Sequence, residues 1–82
     1  MHNSEAMKPY ADLDHDSGVE AFSYTEESIV VKFKSGTSRY YEYTYTSAGS
    51  SNVEQMKMLA ECGDGLNSFI NKNVRKGYSN NW

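Results

Sequence analysis

The sequence predicts an α+β domain, a three-stranded antiparallel β-meander followed by two short helices packed on one face of the sheet. Three observations lead there. Residues 19–46 carry alternating apolar and polar positions in strand-length runs separated by turn residues. Residues 53–76 switch to apolar positions at helical spacing. The chain has 82 residues, 38% of them hydrophobic, which suits one small core and excludes two.

Val19 to Tyr24 alternate loosely and predict the first strand, with Glu26-Glu27 as the polar turn after it. Ile29, Val31 and Phe33 alternate with Val30, Lys32 and Lys34, the pattern of a strand buried on one face. Ser35-Gly36 supplies hairpin chemistry, since glycine tolerates the positive φ of a tight turn. The third strand runs from Ser38 to Thr46 and holds four of the seven tyrosines, between Tyr40 and Tyr45. A period of two puts Arg39, Tyr41, Tyr43 and Tyr45 on one face and Tyr40, Glu42, Thr44 and Thr46 on the other.

Ser47-Ala48-Gly49-Ser50-Ser51 reads as a small-residue loop. Asn52, with Gln55 three residues later, reads as the cap of the first helix. Its apolar stripe is Val53, Met56, Leu59 and Ala60, and Gly63 is placed as its stop. Asp64 reads as the cap of a second helix with Leu66, Phe69, Ile70 and Val74 on one face and Gly77 at its end. Neither helix is long enough to stand alone, so each must lay its stripe on the sheet.

Charge divides the chain unevenly. Residues 1–27 hold Glu5, Asp12, Asp14, Asp16, Glu20, Glu26 and Glu27 against Lys8 alone, while residues 28–82 hold seven cations against four carboxylates. Residues 1–17 are polar and aperiodic and predict a flexible acidic arm, with a single domain over 18–82. Asp12-Leu13-Asp14-His15-Asp16-Ser17-Gly18 resembles the start of a calcium loop, but glycine falls one place late and Ser23 stands where a glutamate is needed. No metal site and no cofactor are expected. No apolar run spans a membrane, and residues 1–10 lack the features of a signal peptide. One cysteine, Cys62, makes no internal disulfide and suits a reducing cytoplasm.

An ordered set of residues is similar to the KTSC domain, a small family named for the C-terminus of some lysyl-tRNA synthetases. It also occurs as free-standing proteins in bacteria and phages. Tyr41-Glu42-Tyr43 resembles the family's Tyr-x-Tyr, after a strand and glycine turn at Phe33-Lys34-Ser35-Gly36. Ala60-x-Cys62-Gly63, Leu66-Asn67-x-x-Ile70 and Tyr78 follow in order, so the likeness covers about Ser17 to Tyr78. This chain departs in a hairpin about two residues longer and in a Ser/Gly-rich connection to the first helix. The resemblance implies the fold and a bacterial or phage-encoded protein acting in the cytoplasm. RNA binding has been suggested for the family.

The residues expected to bind a ligand are Arg39, Tyr40, Tyr41, Tyr43 and Tyr45, with Ser47, Gly49, Ser50, Ser51 and Asn52. A tyrosine face can complete the core with its hydroxyls at the edge, or it can form an aromatic platform with Arg39 beside it for a phosphate. Ser47 to Asn52, before a helix start, can be a plain connector or an anion site, though no P-loop or dinucleotide fingerprint is present. Lys72, Arg75 and Lys76 with Tyr78 and Trp82 form a second cluster, readable as a solvated helix end or as a contact for phosphate or protein. No catalytic residue is expected. Both histidines lie in the arm, and Cys62 sits at a helix end that raises a thiol pKa.

Two function classes follow. The first is a non-catalytic module binding a nucleotide-like or RNA ligand, with long RNA less favoured because the body's charge is only +3. The second is a protein-interaction module, a homo-oligomer or a small phage-type inhibitor of a host protein, with aromatics at the interface.

Overall fold

The computed structural model describes residues 7–13 and 18–82. Five antiparallel strands form one sheet in the order β1-β2-β3-β4-β5. They are β1 (Lys8–Pro9), β2 (Val19–Tyr24), β3 (Ser28–Phe33), β4 (Tyr40–Thr44) and β5 (Asn80–Asn81). Three helices, α1 (Tyr45–Ala48), α2 (Ser50–Cys62) and α3 (Leu66–Asn73), lie between β4 and β5 in the chain. The α+β class and the central meander of β2, β3 and β4 agree with the sequence pattern. Two short edge strands and a four-residue helix were not in it.

Alternation along β3 and β4 decides which face is covered. Ile29 pairs with Tyr43 and Val31 with Tyr41, and Ile29, Val31 and Tyr43 are each at most 1% exposed. Val53, Met56 and Ala60 of α2, with Leu66 and Ile70 of α3, complete the core at the spacing of one helix face. The residues of opposite parity, Val30, Lys32, Tyr40 and Glu42, stand on the uncovered face. In β2 the register shifts between Val19 and Ala21. That bulge is why Val19 and Phe22, of opposite parity, are both buried, and why the sequence alternates only loosely there.

The helix boundaries depart from the sequence reading. β4 ends at Thr44, whose side chain caps α1: Ser47 N–H donates to Thr44 Oγ1, and Thr44 N–H donates to Ser47 Oγ, each at 3.0 Å. This is a capping box with serine in the position usually held by Glu or Gln. The expected Ser/Gly loop is therefore a helical corner, turned by Gly49 at φ +96°. Asn52 lies inside α2 and donates from Nδ2 to Ala48 O, so it caps nothing. Gly63 does stop α2, at φ +74°. Gly65, in place of Asp64, precedes α3, and α3 ends at Asn73, well before Gly77.

The acidic arm expected over 1–17 is corrected at residues 7–13, while 1–6 and 14–17 lie outside the described residues. Lys8 and Pro9 pair with Phe22 and Ala21. Tyr10 is 7% exposed and belongs to the core. From there the strap crosses the corner between α2 and α3. Leu13 N–H donates to Gly63 O, and Tyr10 Oη accepts from Leu66 N–H at 3.2 Å. α3 has no side-chain cap of its own, so Tyr10 satisfies one of its first donors from 56 residues away. A Cβ on Gly63 would meet Ala11 Cβ at 2.5 Å.

Two substitutions test this frame by urea denaturation. Tyr10→Phe keeps the ring and leaves the buried Leu66 N–H unpartnered, and should cost about 1–3 kcal/mol at unchanged m-value. Gly63→Ala combines the close approach with a left-handed backbone and should cost at least about 2 kcal/mol. A midpoint unchanged by Tyr10→Phe would remove that hydroxyl from the frame.

Candidate functional site

The segment from Lys34 to Arg39 joins β3 to β4, and Gly36 at its tip has φ +117°. It faces the chain that follows α3, and a cleft of about 560 Å³ opens between them. That volume falls within the range of small-molecule sites, roughly 300–1,000 Å³. Phe33, Tyr41, Tyr43 and Tyr78 line its floor and side. These rings pack edge to face, with Tyr41 and Tyr78 centroids 4.9 Å apart and Phe33 and Tyr41 5.4 Å apart. Ser35, Gly36, Thr37 and Ser38 form one wall, and Arg75 and Lys76 belong to the other.

Charge sets this cleft apart. Lys8 pairs with Glu61, Lys32 and Arg39 with Glu20, Lys34 with Asp12 and Lys57 with Glu54. Lys72, Arg75 and Lys76 have no ion pair among the described residues. Among the described residues no carboxylate lines the cleft. Its two cations thus share the cleft with aromatic and hydroxyl-bearing residues and with no described counter-charge.

The expected binding residues divide among three places. Tyr41 and Tyr43 are in the cleft. Tyr40 is on the uncovered face, stacked on Trp82 at 5.6 Å with Lys32 5.5 Å from its ring. Arg39 lies just before β4 and does not share the Tyr41 side. Its guanidinium donates to Glu20, the carboxylate that also holds Lys32. Hydrogen bonding from Lys32, then the charges of Lys32 and Arg39, hold the Glu20 carboxyl below its usual range. Tyr45 is helical, and its hydroxyl donates to Glu54. Ser47, Gly49, Ser50, Ser51 and Asn52 form the α1–α2 corner, and none of them lines the cleft. The tyrosine strand and the Ser/Gly segment are therefore not one site.

The second basic cluster is also split. Arg75, Lys76 and Tyr78 enter the cleft, whereas Trp82 is across the sheet and Lys72 does not line it. The sequence reading missed Ser35 to Ser38 as a wall. Four consecutive small or polar residues between two strands were the available signal, and a hairpin turn explains the same residues.

A second groove, beside α2, of about 730 Å³, contains Tyr24, Lys57, Met58, Glu61 and Cys62. Its charged groups are engaged. Lys57 Nζ sits 5.3 Å from the Tyr24 ring and 5.8 Å from the Tyr45 ring and donates to Glu54 and to Glu26 O. Hydrogen bonds from Lys8 and Tyr24 keep the Glu61 carboxyl low. These contacts pin α2 to the sheet. Among the described residues no group of three or more His, Cys, Asp or Glu could hold a metal, and no helix is long and apolar enough to cross a membrane.

Comparison with protein-family models, with curated proteins and with solved structures finds no match for the chain.

Burial, then the neighbouring Tyr41 and Tyr78, push the Tyr43 hydroxyl well above the ordinary tyrosine value of 10. The unfolded chain therefore loses this proton more readily than the folded one. The stabilisation is whole below pH 10 and drains as pH rises beyond it. Tyr24 and Tyr45 are raised too, first through hydrogen bonds to Glu61 and Glu54, but on a screened surface. Denaturation midpoints should fall above pH 10, and Tyr43→Phe should flatten that limb. Equal slopes for the variant and the parent would remove Tyr43 as the group responsible.

Proposed function

We propose that the chain is a non-catalytic binding module of the KTSC type whose cleft holds a small, planar, anionic, nucleotide-like ligand. One observation carries this reading. Arg75 and Lys76 share a cleft of small-molecule size with Tyr41 and Tyr78, and among the described residues they have no ion pair and no carboxylate lines the cleft. Aromatic edges and faces suit a base, and an unpaired guanidinium suits an anionic group. Few convergent polar groups against an apolar wall is the usual composition of such sites. The cleft's short basic wall supports a small ligand over a long RNA, whose affinity grows with the number of phosphates neutralised.

A second reading has its own observation. Trp82 is 52% exposed and stacks on Tyr40 over the uncovered face. Aromatic residues so placed suit a protein contact, with another copy or with a host protein. A defined oligomer by light scattering, together with no thermal shift from any nucleotide, favours the second reading over the first.

In a thermal-shift screen of nucleoside monophosphates and cyclic dinucleotides, a binder at about 100 times its Kd should raise the melting temperature by several degrees. Tyr78→Ala should reduce that rise, measured against the variant's own unliganded melting temperature because Tyr78 packs edge to face on Tyr41. No rise with any nucleotide at millimolar concentration would overturn the reading.

A further inference from the structure

The exposed turn from Ser35 to Ser38 leaves its donors without partners among the described residues. The flanking groups are engaged: Phe33 N–H donates to Arg39 O, Lys34 N–H to Gly18 O, and Arg39 and Tyr40 N–H to Trp82 O. Between them, the four backbone N–H groups of Ser35, Gly36, Thr37 and Ser38 and their three hydroxyls make no hydrogen bond among the described residues. These residues line the cleft together with Arg75 and Lys76. Polar donors from a glycine-bearing turn, set against two cations, are the complement of an oxyanion.

We propose that this end of the cleft binds a phosphomonoester, the terminal phosphate of the nucleotide-like ligand. Arg75 and Lys76 offset its two negative charges, and the 35–38 turn donates to its oxygens. A terminal phosphate has up to three free oxygens and approaches a charge of −2 above its second pKa near 6. An internal phosphodiester presents two free oxygens and one charge, so it fills this arrangement less well. Arg75 adds the planar fork that meets two oxygens at once. The proposal rests on the nucleotide-like reading of the cleft and adds which end of the ligand is held, and by what.

Amide NMR titrations of the full chain at pH 7.5 and fixed ionic strength test it with AMP, adenosine, inorganic phosphate and a dinucleoside monophosphate. AMP is expected to bind at least about tenfold more tightly than adenosine or the dinucleoside. Inorganic phosphate is expected to move the Ser35–Ser38 amide signals and to compete with AMP. Arg75→Gln and Lys76→Gln should each weaken phosphate at least about tenfold while leaving the unliganded spectrum folded. Equal affinity for AMP and adenosine overturns the phosphate site and leaves the nucleotide-like reading standing. Phosphate binding with no gain from the base supports the phosphate site and removes the nucleotide-like reading. Phosphate shifts that survive both substitutions mean an adventitious ion only, and overturn the proposal.

Discussion

The contact on which the architecture hangs is the crossing of residues 10–13 over the corner between α2 and α3. A left-handed Gly63 ends α2 and leaves room for Ala11, whose Cβ would otherwise collide with a side chain there. Leu13 then bonds to Gly63 O, and Tyr10 reaches into the core to receive the Leu66 N–H. α3 is only eight residues long and has no side-chain cap, so its direction is set from outside itself. Everything beyond α3, including Arg75, Lys76 and Tyr78, inherits that direction. A second tie acts on the opposite wall of the cleft, since Lys34, the first residue of the β3–β4 connection, pairs with Asp12. Both walls are thus anchored to one strap.

Strand parity then divides the tyrosines by function. Tyr43, 1% exposed, fills the core, and Tyr41 stands beside it at the cleft. Tyr40 turns the other way and meets Trp82 and Lys32. A sheet covered by helices on one face can supply a cleft only where that cover stops. Here it stops at Asn73, the last residue of α3, and Tyr78 of the returning chain closes the far side.

Much of this was legible because one physical rule governed each stretch. β3 alternates cleanly, so its buried set of Ile29 and Val31 followed from period two alone. The stripe Val53, Met56 and Ala60 and the glycine stop at Gly63 followed from helical geometry. Legibility failed where two local codes compete. Thr44 to Ser51 carries residues favoured in loops, yet the same serine and threonine side chains build a capping box, and helix won. Residues 7–13 have no period, because a strap that crosses a corner touches its neighbours one residue at a time. Tyr10 and Gly63 are 53 positions apart in the sequence, and no window joins them. The cleft was half visible: Tyr41, Tyr43 and the basic cluster were noticed as separate features. Their meeting depends on the tertiary placement of α3.

The remaining question is whether Arg75 and Lys76 have a structural reason to be cationic. A helix C-terminus attracts positive charge, but the effect fades within the last turn. Only Lys72 lies in the last turn of α3, and the helix ends at Asn73. Arg75 and Lys76 come after it, beyond the residues that a macrodipole rewards. Nor do they offset a carboxylate among the described residues, although five of the eight Lys and Arg residues do. Two adjacent like charges beside an aromatic wall oppose each other and have no described internal partner. In the proposed function, the anionic ligand supplies the negative charge that these two residues lack among the described residues.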